Sequence, residues 1–267
     1  MNASTSPSAV AQTSIGARVV CGVDGTSEGL EAARQAARLV DPTGSLALVS
    51  VFNIGAAAGT GYLASRTAAE MERDAQRALD AAVAAVGIEP ETHLVDGEPY
   101  AAIEAQADKL DATLVVVGTH ELRRGLGIMF GSVATASSHI PTRATLIARD
   151  AGAPIDRFPR SVTVAEDGSP ASERARVSAA AIAERFDADF RRIVYTAGKP
   201  DLEAVQSIPG ADVIDGDPRK GLIALSDEVD LLVVGSTGRR GLRALGSVSE
   251  HVAHGATCSV LVVPAAA

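Results

Sequence analysis

The sequence states one pattern twice. Val19-Val20-Cys21-Gly22-Val23-Asp24-Gly25-Thr26 returns as Val162-Thr163-Val164-Ala165-Glu166-Asp167-Gly168-Ser169. Asp96-Gly97-Glu98-Pro99 returns as Asp215-Gly216-Asp217-Pro218, Val115-Val116-Val117-Gly118-Thr119 as Leu232-Val233-Val234-Gly235-Ser236, and Gly131-Ser132-Val133 as Gly246-Ser247-Val248. Four signatures in one order at so long a period mean a duplicated domain, not a solenoid of short repeats. The offsets fall from 143 (Asp24 to Asp167) to 119 (Gly97 to Gly216), 117 (Gly118 to Gly235) and 115 (Gly131 to Gly246). The second copy has therefore lost a whole element early on, and two residues at each of two later points.

Within each copy, short Val/Leu runs alternate with Ala-rich helical stretches, which predicts βαβ units and a parallel sheet. The first copy's strands read 18–23, 46–52, 91–95, 113–117 and 145–148. Runs such as Leu114-Val115-Val116-Val117 are apolar on both faces, as a strand covered by helices on each side must be. The first helix is expected after Thr26, with Leu30, Ala33, Ala37 and Val40 facing inward. Its counterpart opens with Ser169-Pro170, a capping hydroxyl followed by proline at the first helical position, and turns Ala175, Ala179, Ile182 and Phe186 inward. A long helix over 64–86 has no counterpart in the second copy, where 196–210 leaves room for one short crossover helix around 201–207. The expected architecture is two doubly wound, Rossmann-like, five-stranded parallel-sheet domains in tandem, the second shortened. The boundaries are a loose tail at 1–16, a first domain at 17–149, a linker at 150–160 and a second domain at 161–264. Each last strand, 145–148 and 259–263, is a bare edge, so the two are expected side by side in a pseudo-dimer.

The 267 residues, 46% hydrophobic, suffice for two ordinary cores. A net charge of −9 and 3% aromatic residues leave neither the electrostatic footprint nor the stacking platforms of a nucleic-acid binder, and argue against a membrane surface. No apolar run approaches the roughly 20 residues of a membrane span. The first sixteen residues lack the basic start and apolar centre of a signal peptide. These features, and two cysteines (Cys21, Cys258) in apolar strand-like runs that read as buried hydrophobes, point to a cytoplasmic protein.

In doubly wound sheets ligands bind beyond the carboxyl ends of the strands, where strand order reverses. Asp24 and Asp167 fall there, after each first strand, and so do Gly118 and Gly235, after each fourth. The second copy continues Gly235-Ser-Thr-Gly238-Arg-Arg-Gly241 to Gly246-Ser247, glycines that let backbone N–H groups approach phosphate oxygens, followed by a helix start. The same glycines would equally serve a turn that only caps the helix. Asp24 and Asp167 suit either ribose hydroxyls or the strand-to-helix turn itself. The arginine pairs Arg123-Arg124 and Arg239-Arg240 suit either phosphate neutralisation or a solvated loop face. Glu166 stands where the first copy has Val23. Neither a Ser/His/Asp constellation nor a Cys/His metal cluster is spaced for chemistry, so no catalytic or metal residue is assigned.

These motifs resemble the universal stress protein family in its tandem, two-domain form. Nucleotide-binding members carry a strand-one Asp followed by Gly-Ser, then Gly-x-x-Gly-(nine)-Gly-Ser/Thr after strand four. The resemblance implies a regulatory role in stress or dormancy without a dedicated catalytic activity, homodimer-like pairing through the last strands, and ATP binding with Mg2+. It carries over to Asp24, Gly118, Gly131 and Ser132 in the first copy and to Asp167, Gly235, Gly238, Gly246 and Ser247 in the second. Neither loop keeps the pattern intact. Matched by spacing, the first has Glu121 in place of the second glycine; matched on Arg-Arg-Gly-Leu, it carries one inserted residue and loses one later. The second loop has seven residues instead of nine before Gly246. The first copy keeps the helix near which the family seats adenine, and the second has lost it. At most one adenine-nucleotide site per chain is therefore expected, with the second copy slightly favoured for phosphate contact. The alternative is a nucleotide-free assembly or interaction module. An enzyme of the ATP pyrophosphatase or electron-transfer flavoprotein type would need a Ser-Gly-Gly loop after strand one, where this chain has Val23-Asp24-Gly25.

Overall fold

The apolar runs become strands within one residue of the places their periodicity predicts: β1 (Arg18–Gly22), β2 (Ser45–Phe52), β3 (Glu91–Asp96), β4 (Leu114–Gly118) and β5 (Ala144–Ala148) in the first half. The second half supplies β6 (Ser161–Glu166), β7 (Asp189–Tyr195), β8 (Asp212–Ile214), β9 (Leu231–Ser236) and β10 (Ser259–Pro264). The helices are α1 (Ser27–Leu39), α2 (Tyr62–Val86), α3 (Pro99–Lys109), α4 (Pro170–Phe186), α5 (Pro218–Leu225) and α6 (Val248–Gly255). This computed structural model describes residues 14–53, 62–119, 143–150, 152, 154–196, 208–236 and 248–265. The short helix expected around 201–207 lies outside them.

The ten strands of the described residues form one sheet, in the order β3-β2-β1-β4-β5-β10-β9-β6-β7-β8. Every neighbouring pair is parallel except β5 and β10, which run antiparallel with Leu261 opposite Leu146. Each half is thus a 3-2-1-4-5 doubly wound sheet, and a pseudo-two-fold axis passes through the β5–β10 seam. Pairing these last strands satisfies the backbone edge that each would otherwise leave open. One face carries α1, α2 and α4 over Cys21, Leu48, Val116, Val164 and Leu261. The other carries α3, α5 and α6 over Val20, Val49, Val115, Leu232 and Val260.

The inward side of α1 differs from the periodicity reading. Ala32, Ala33, Ala36 and Leu39 are its fully covered apolar residues, whereas Leu30 and Ala37 are only half-buried at the margin. The small side chains face the sheet because they allow the helix close to it, and α2 alongside widens the buried arc. Thr26 Oγ1 caps α1 by accepting from Gly29 N at 3.0 Å. Ser169 Oγ caps α4 by accepting from Ser172 N at 3.2 Å, as its sequence signature predicts.

Polar contacts across the seam hold the halves in one register. Gln35 on α1 donates to the Arg149 carbonyl at 2.8 Å and accepts from the Ser259 hydroxyl at 2.8 Å. The buried Arg149 guanidinium donates to the carbonyls of Cys258 (3.2 Å) and Ala253. Farther out, Arg185 of α4 donates to Leu39 O at 2.9 Å and to Val40 O, placing a cation at the carboxyl end of α1 where the helix dipole favours it. The segment between β5 and β6 is tied down as well. Its Phe158 is buried, and Arg38 Nε donates to the Phe158 carbonyl at 3.0 Å. At the other end of the chain, the Ile15 and Gly16 carbonyls accept from Thr113 Oγ1 (2.8 Å) and Asp41 N (2.9 Å).

Candidate functional site

At the carboxyl end of β1, Asp24 Oδ1 accepts from the Thr26 N–H at 3.0 Å and from Thr26 Oγ1 at 2.5 Å. At the end of β6, Asp167 Oδ1 accepts from the Ser169 N–H at 3.0 Å. Each carboxylate folds back on its own strand-to-helix turn, and each side chain is exposed. The turns need their glycines: Gly25 and Gly168 sit at φ 79° and 75°, a region costly for any residue with a Cβ. The first oxygen of each Asp serves the turn while the residue itself faces solvent, so the structural role does not use up the carboxylate.

Gly118 and Gly235 close the fourth strands beside these turns, and both are packed against backbone. A Cβ at Gly118 would lie 2.5 Å from Glu28 O and 3.0 Å from Gly29 N; one at Gly235 would lie 2.6 Å from Ala171 C and from Ser172 N. In both halves the strand touches the first turn of the helix following the first strand, and only glycine permits that approach. Gly29 itself would put a Cβ 2.5 Å from Asp24 Oδ1. The structure therefore brings Asp24 and Gly118 to one helix N-terminus, and Asp167 and Gly235 to another. Gly131, Ser132, Gly238, Gly246 and Ser247 lie outside the described residues, as do Glu121 and both arginine pairs.

The two halves differ at the shoulder of the site. In the first, Val23 and Leu48 are buried in the apolar cluster under α1 and α2, and Ala78 of α2 lies against the Asp24-Gly25 turn, 3.3 Å from where a Gly25 Cβ would sit. In the second, Glu166 takes the place of Val23. Arg18 pairs with Ser45 and Ser161 with Asp189, so the register puts Arg192 in the place of Leu48. Arg192 Nε and a terminal guanidinium nitrogen donate to the two Glu166 oxygens at 2.6 and 3.1 Å, and its other terminal nitrogen donates to Pro209 O at 2.8 Å. The Glu166 side chain is 4% exposed, so this fork closes ground that α2 covers in the first half. Glu166 is visible in the sequence as a departure; its partner is not, because only the strand register aligns Arg192 with an apolar position.

Both thiols are free and buried. Burial first, and then the charge of Asp24, pushes Cys21 well above the usual thiol range, and burial pushes Cys258 up to about 12. Among the described residues no cluster of His, Cys, Asp or Glu is arranged to hold a metal ion, and no helix is long and apolar enough to cross a membrane.

Comparison with known proteins agrees with this architecture. A universal stress protein from Archaeoglobus fulgidus DSM 4304 superposes with a TM-score of 0.72 at 18% identity, over 94% of this chain and 99% of that one. A putative universal stress protein from Pseudomonas aeruginosa UCBPP-PA14 gives 0.63 at 13% identity, over 93% of each chain. At these identities the likeness concerns the fold. No curated protein matches the sequence. The model of the universal stress protein family matches residues 17–140 and 201–264, leaving out the stretch that contains Glu166 and Arg192. With matching motifs in both halves and the family model spanning most of its length, the chain belongs to the universal stress protein family.

Proposed function

We propose that this protein is a cytoplasmic, non-enzymatic stress-response regulator with one adenine-nucleotide site per chain, built on the first half. The observation that carries this reading is the asymmetry beside the two Asp turns. Asp24 stands exposed at a turn against which α2 packs through Ala78, an apolar helix wall that suits a nucleoside. Beside Asp167 the ground that α2 covers in the first half is closed by the Glu166–Arg192 fork, a charged pair in place of an apolar helix wall. The sequence alone favours the second half for phosphate contact; the nucleoside end reverses that preference. Asp24 would accept from ribose hydroxyls, and the backbone after Gly118, with Gly131 and Ser132, would meet the phosphates. Bound Mg2+ would offset the phosphate charge facing Glu121. The domains read as 17–149 and 161–264, the first binding and the second bracing.

Calorimetry of the whole chain with Mg-ATP tests this. One weak site per chain is expected, lost in Asp24→Asn, which retains a turn acceptor without the charge, and kept in Asp167→Asn. Two equivalent sites would refute the asymmetry. A flat titration at millimolar ATP would favour the second reading, a nucleotide-free interaction module.

A further inference from the structure

A cleft of about 190 Å³ opens where the halves meet beside the amino end of β1. Its apolar walls are Ile15, Leu39, Val177, Ala181 and Ile182, drawn from both halves. Ser14, Ser178 and the Arg185–Asp41 pair, 3.0 Å apart, supply polar groups at its rim.

The pseudo-two-fold axis generates a second place of the same kind. Ala17 O accepts from Ser45 N as Arg160 O accepts from Asp189 N, which aligns the approaches to β1 and β6. Counting back from that match, Phe158 is the counterpart of Ile15. By the same offset Arg38 is the counterpart of Ala181, and Leu39 and Ile182 are counterparts of each other. On the Phe158 side the space is closed: the residue is 2% exposed, and Arg38 on α1 holds its carbonyl. On the Ile15 side the residue is smaller, no guanidinium stands at Ala181, and the cleft is open. The chain thus forms this junction twice and seals one of them with its own benzyl group.

We propose that the open junction is a binding site for a small aromatic molecule carrying one hydrogen-bonding substituent, a site separate from the one beside Asp24. The Phe158 side shows what chemistry the junction accepts: a buried phenyl ring at the position symmetry gives to Ile15, with its backbone carbonyl held by Arg38 of α1. The volume is right for a single ring, since an apolar cavity of roughly 150 Å³ lined by aliphatic side chains takes up benzene. Ser14, Ser178 and Arg185 meet the substituent. A ligand there touches both halves and binds the folded chain alone, so it raises the unfolding temperature by mass action.

The test is a titration of the full-length, methyl-labelled chain with benzyl alcohol, followed by NMR. Saturable shifts of the Ile15, Leu39, Val177 and Ile182 methyls are expected, with a Kd on the order of 1 mM for so small a ligand. Ile15→Phe should weaken binding at least tenfold by reproducing the sealed junction. Ala181→Phe, at an exposed position, checks this without touching the approach to β1. Methyl signals unmoved at roughly ten times that concentration would overturn the proposal. So would shifts that persist unchanged in both variants. Contacts from the Val10 methyls to Val177 or Ile182 in the unliganded chain would overturn it too, by assigning the cleft to the chain's own first residues.

Discussion

The Ser259 hydroxyl of β10 donates to the Gln35 side-chain oxygen of α1 at 2.8 Å, joining the last strand of one half to the first helix of the other. The pseudo-symmetric positions hold Ser178 and Ala144, so the bond exists once. Both groups are buried; removing Ser259 takes the donor from the Gln35 oxygen and the acceptor from the Arg149 N–H, whereas removing Gln35 leaves the Ser259 hydroxyl bonded to the Arg149 backbone alone. Gln35→Ala is expected to lower stability by about 2–3 kcal/mol, and Ser259→Ala by about 1–2 kcal/mol. Urea unfolding measures both; a change below about 0.5 kcal/mol in both would mean that the seam stands on strand pairing alone.

The Glu166–Arg192 fork should behave as a unit. Glu166→Val or Arg192→Leu alone strands one member of a nearly buried charge pair and should cost about 3–5 kcal/mol, somewhat less where Arg192 reaches water. The double substitution restores the first half's residues and should recover most of that loss. A double-mutant cycle with no coupling would show the two side chains to be independent.

Asp230 links the start of β9 to Arg160. Burial pushes its carboxyl up, but hydrogen bonds from the Arg160 side chain and backbone outweigh this and hold it below the usual 3.8. A carboxyl depressed in the folded state contributes stability that is full above its unfolded pKa and is lost as pH falls through the folded value. The loss should therefore begin near pH 4 and grow below it. In Asp230→Asn this part of the acid limb should flatten, with stability at pH 7 lower by about 2 kcal/mol. Thermal unfolding across pH 2–7 reads both, and an unchanged acid limb would remove Asp230 from the account.

Gly118→Ala and Gly235→Ala drive a Cβ into the first turn of α1 or α4. Each should lower stability by about 1–3 kcal/mol with no nucleotide present. If either variant is as stable as the parent and only loses ATP binding, the glycine serves the ligand and not the packing.

Glu121 tests the nucleotide reading from the sequence side. Two like charges about 4 Å apart cost roughly 4 kcal/mol at an effective dielectric near 20, enough to abolish millimolar binding. Glu121→Gln should recover part of the ATP affinity and Glu121→Gly more, since glycine also removes the Cβ. If neither variant binds better than the parent, Glu121 is not what weakens the first loop.

Strand positions, the Ser169 helix cap and the pairing of the last strands are legible in the sequence because they depend on local periodicity, on a capping hydroxyl before proline and on unsatisfied edges. The inward side of α1 was read too far toward Leu30, since the alanines that approach the sheet carry little hydrophobic signal of their own. Arg192 was invisible because its partner lies on another strand and its apolar equivalent, Leu48, is identified only by sheet register. Phe158 falls in a segment whose prolines and glycine read as a linker, and its burial, with its carbonyl held by Arg38 of α1, leaves no local signal in the sequence. Gly118 and Gly235 were picked out for phosphate, and the sequence contains nothing to show that a helix backbone presses on both.

The antiparallel join of β5 to β10 also settles a matter of concentration. Two separate copies meeting through such edges would dissociate on dilution, and their pairing would track how many molecules the cell holds. Tethered by one chain, the edges see each other at an effective concentration of about millimolar or more, whatever the abundance. Pairing thus becomes indifferent to expression level. The two partners are also always present in equal number and never identical, so each half can diverge in sequence without losing its mate.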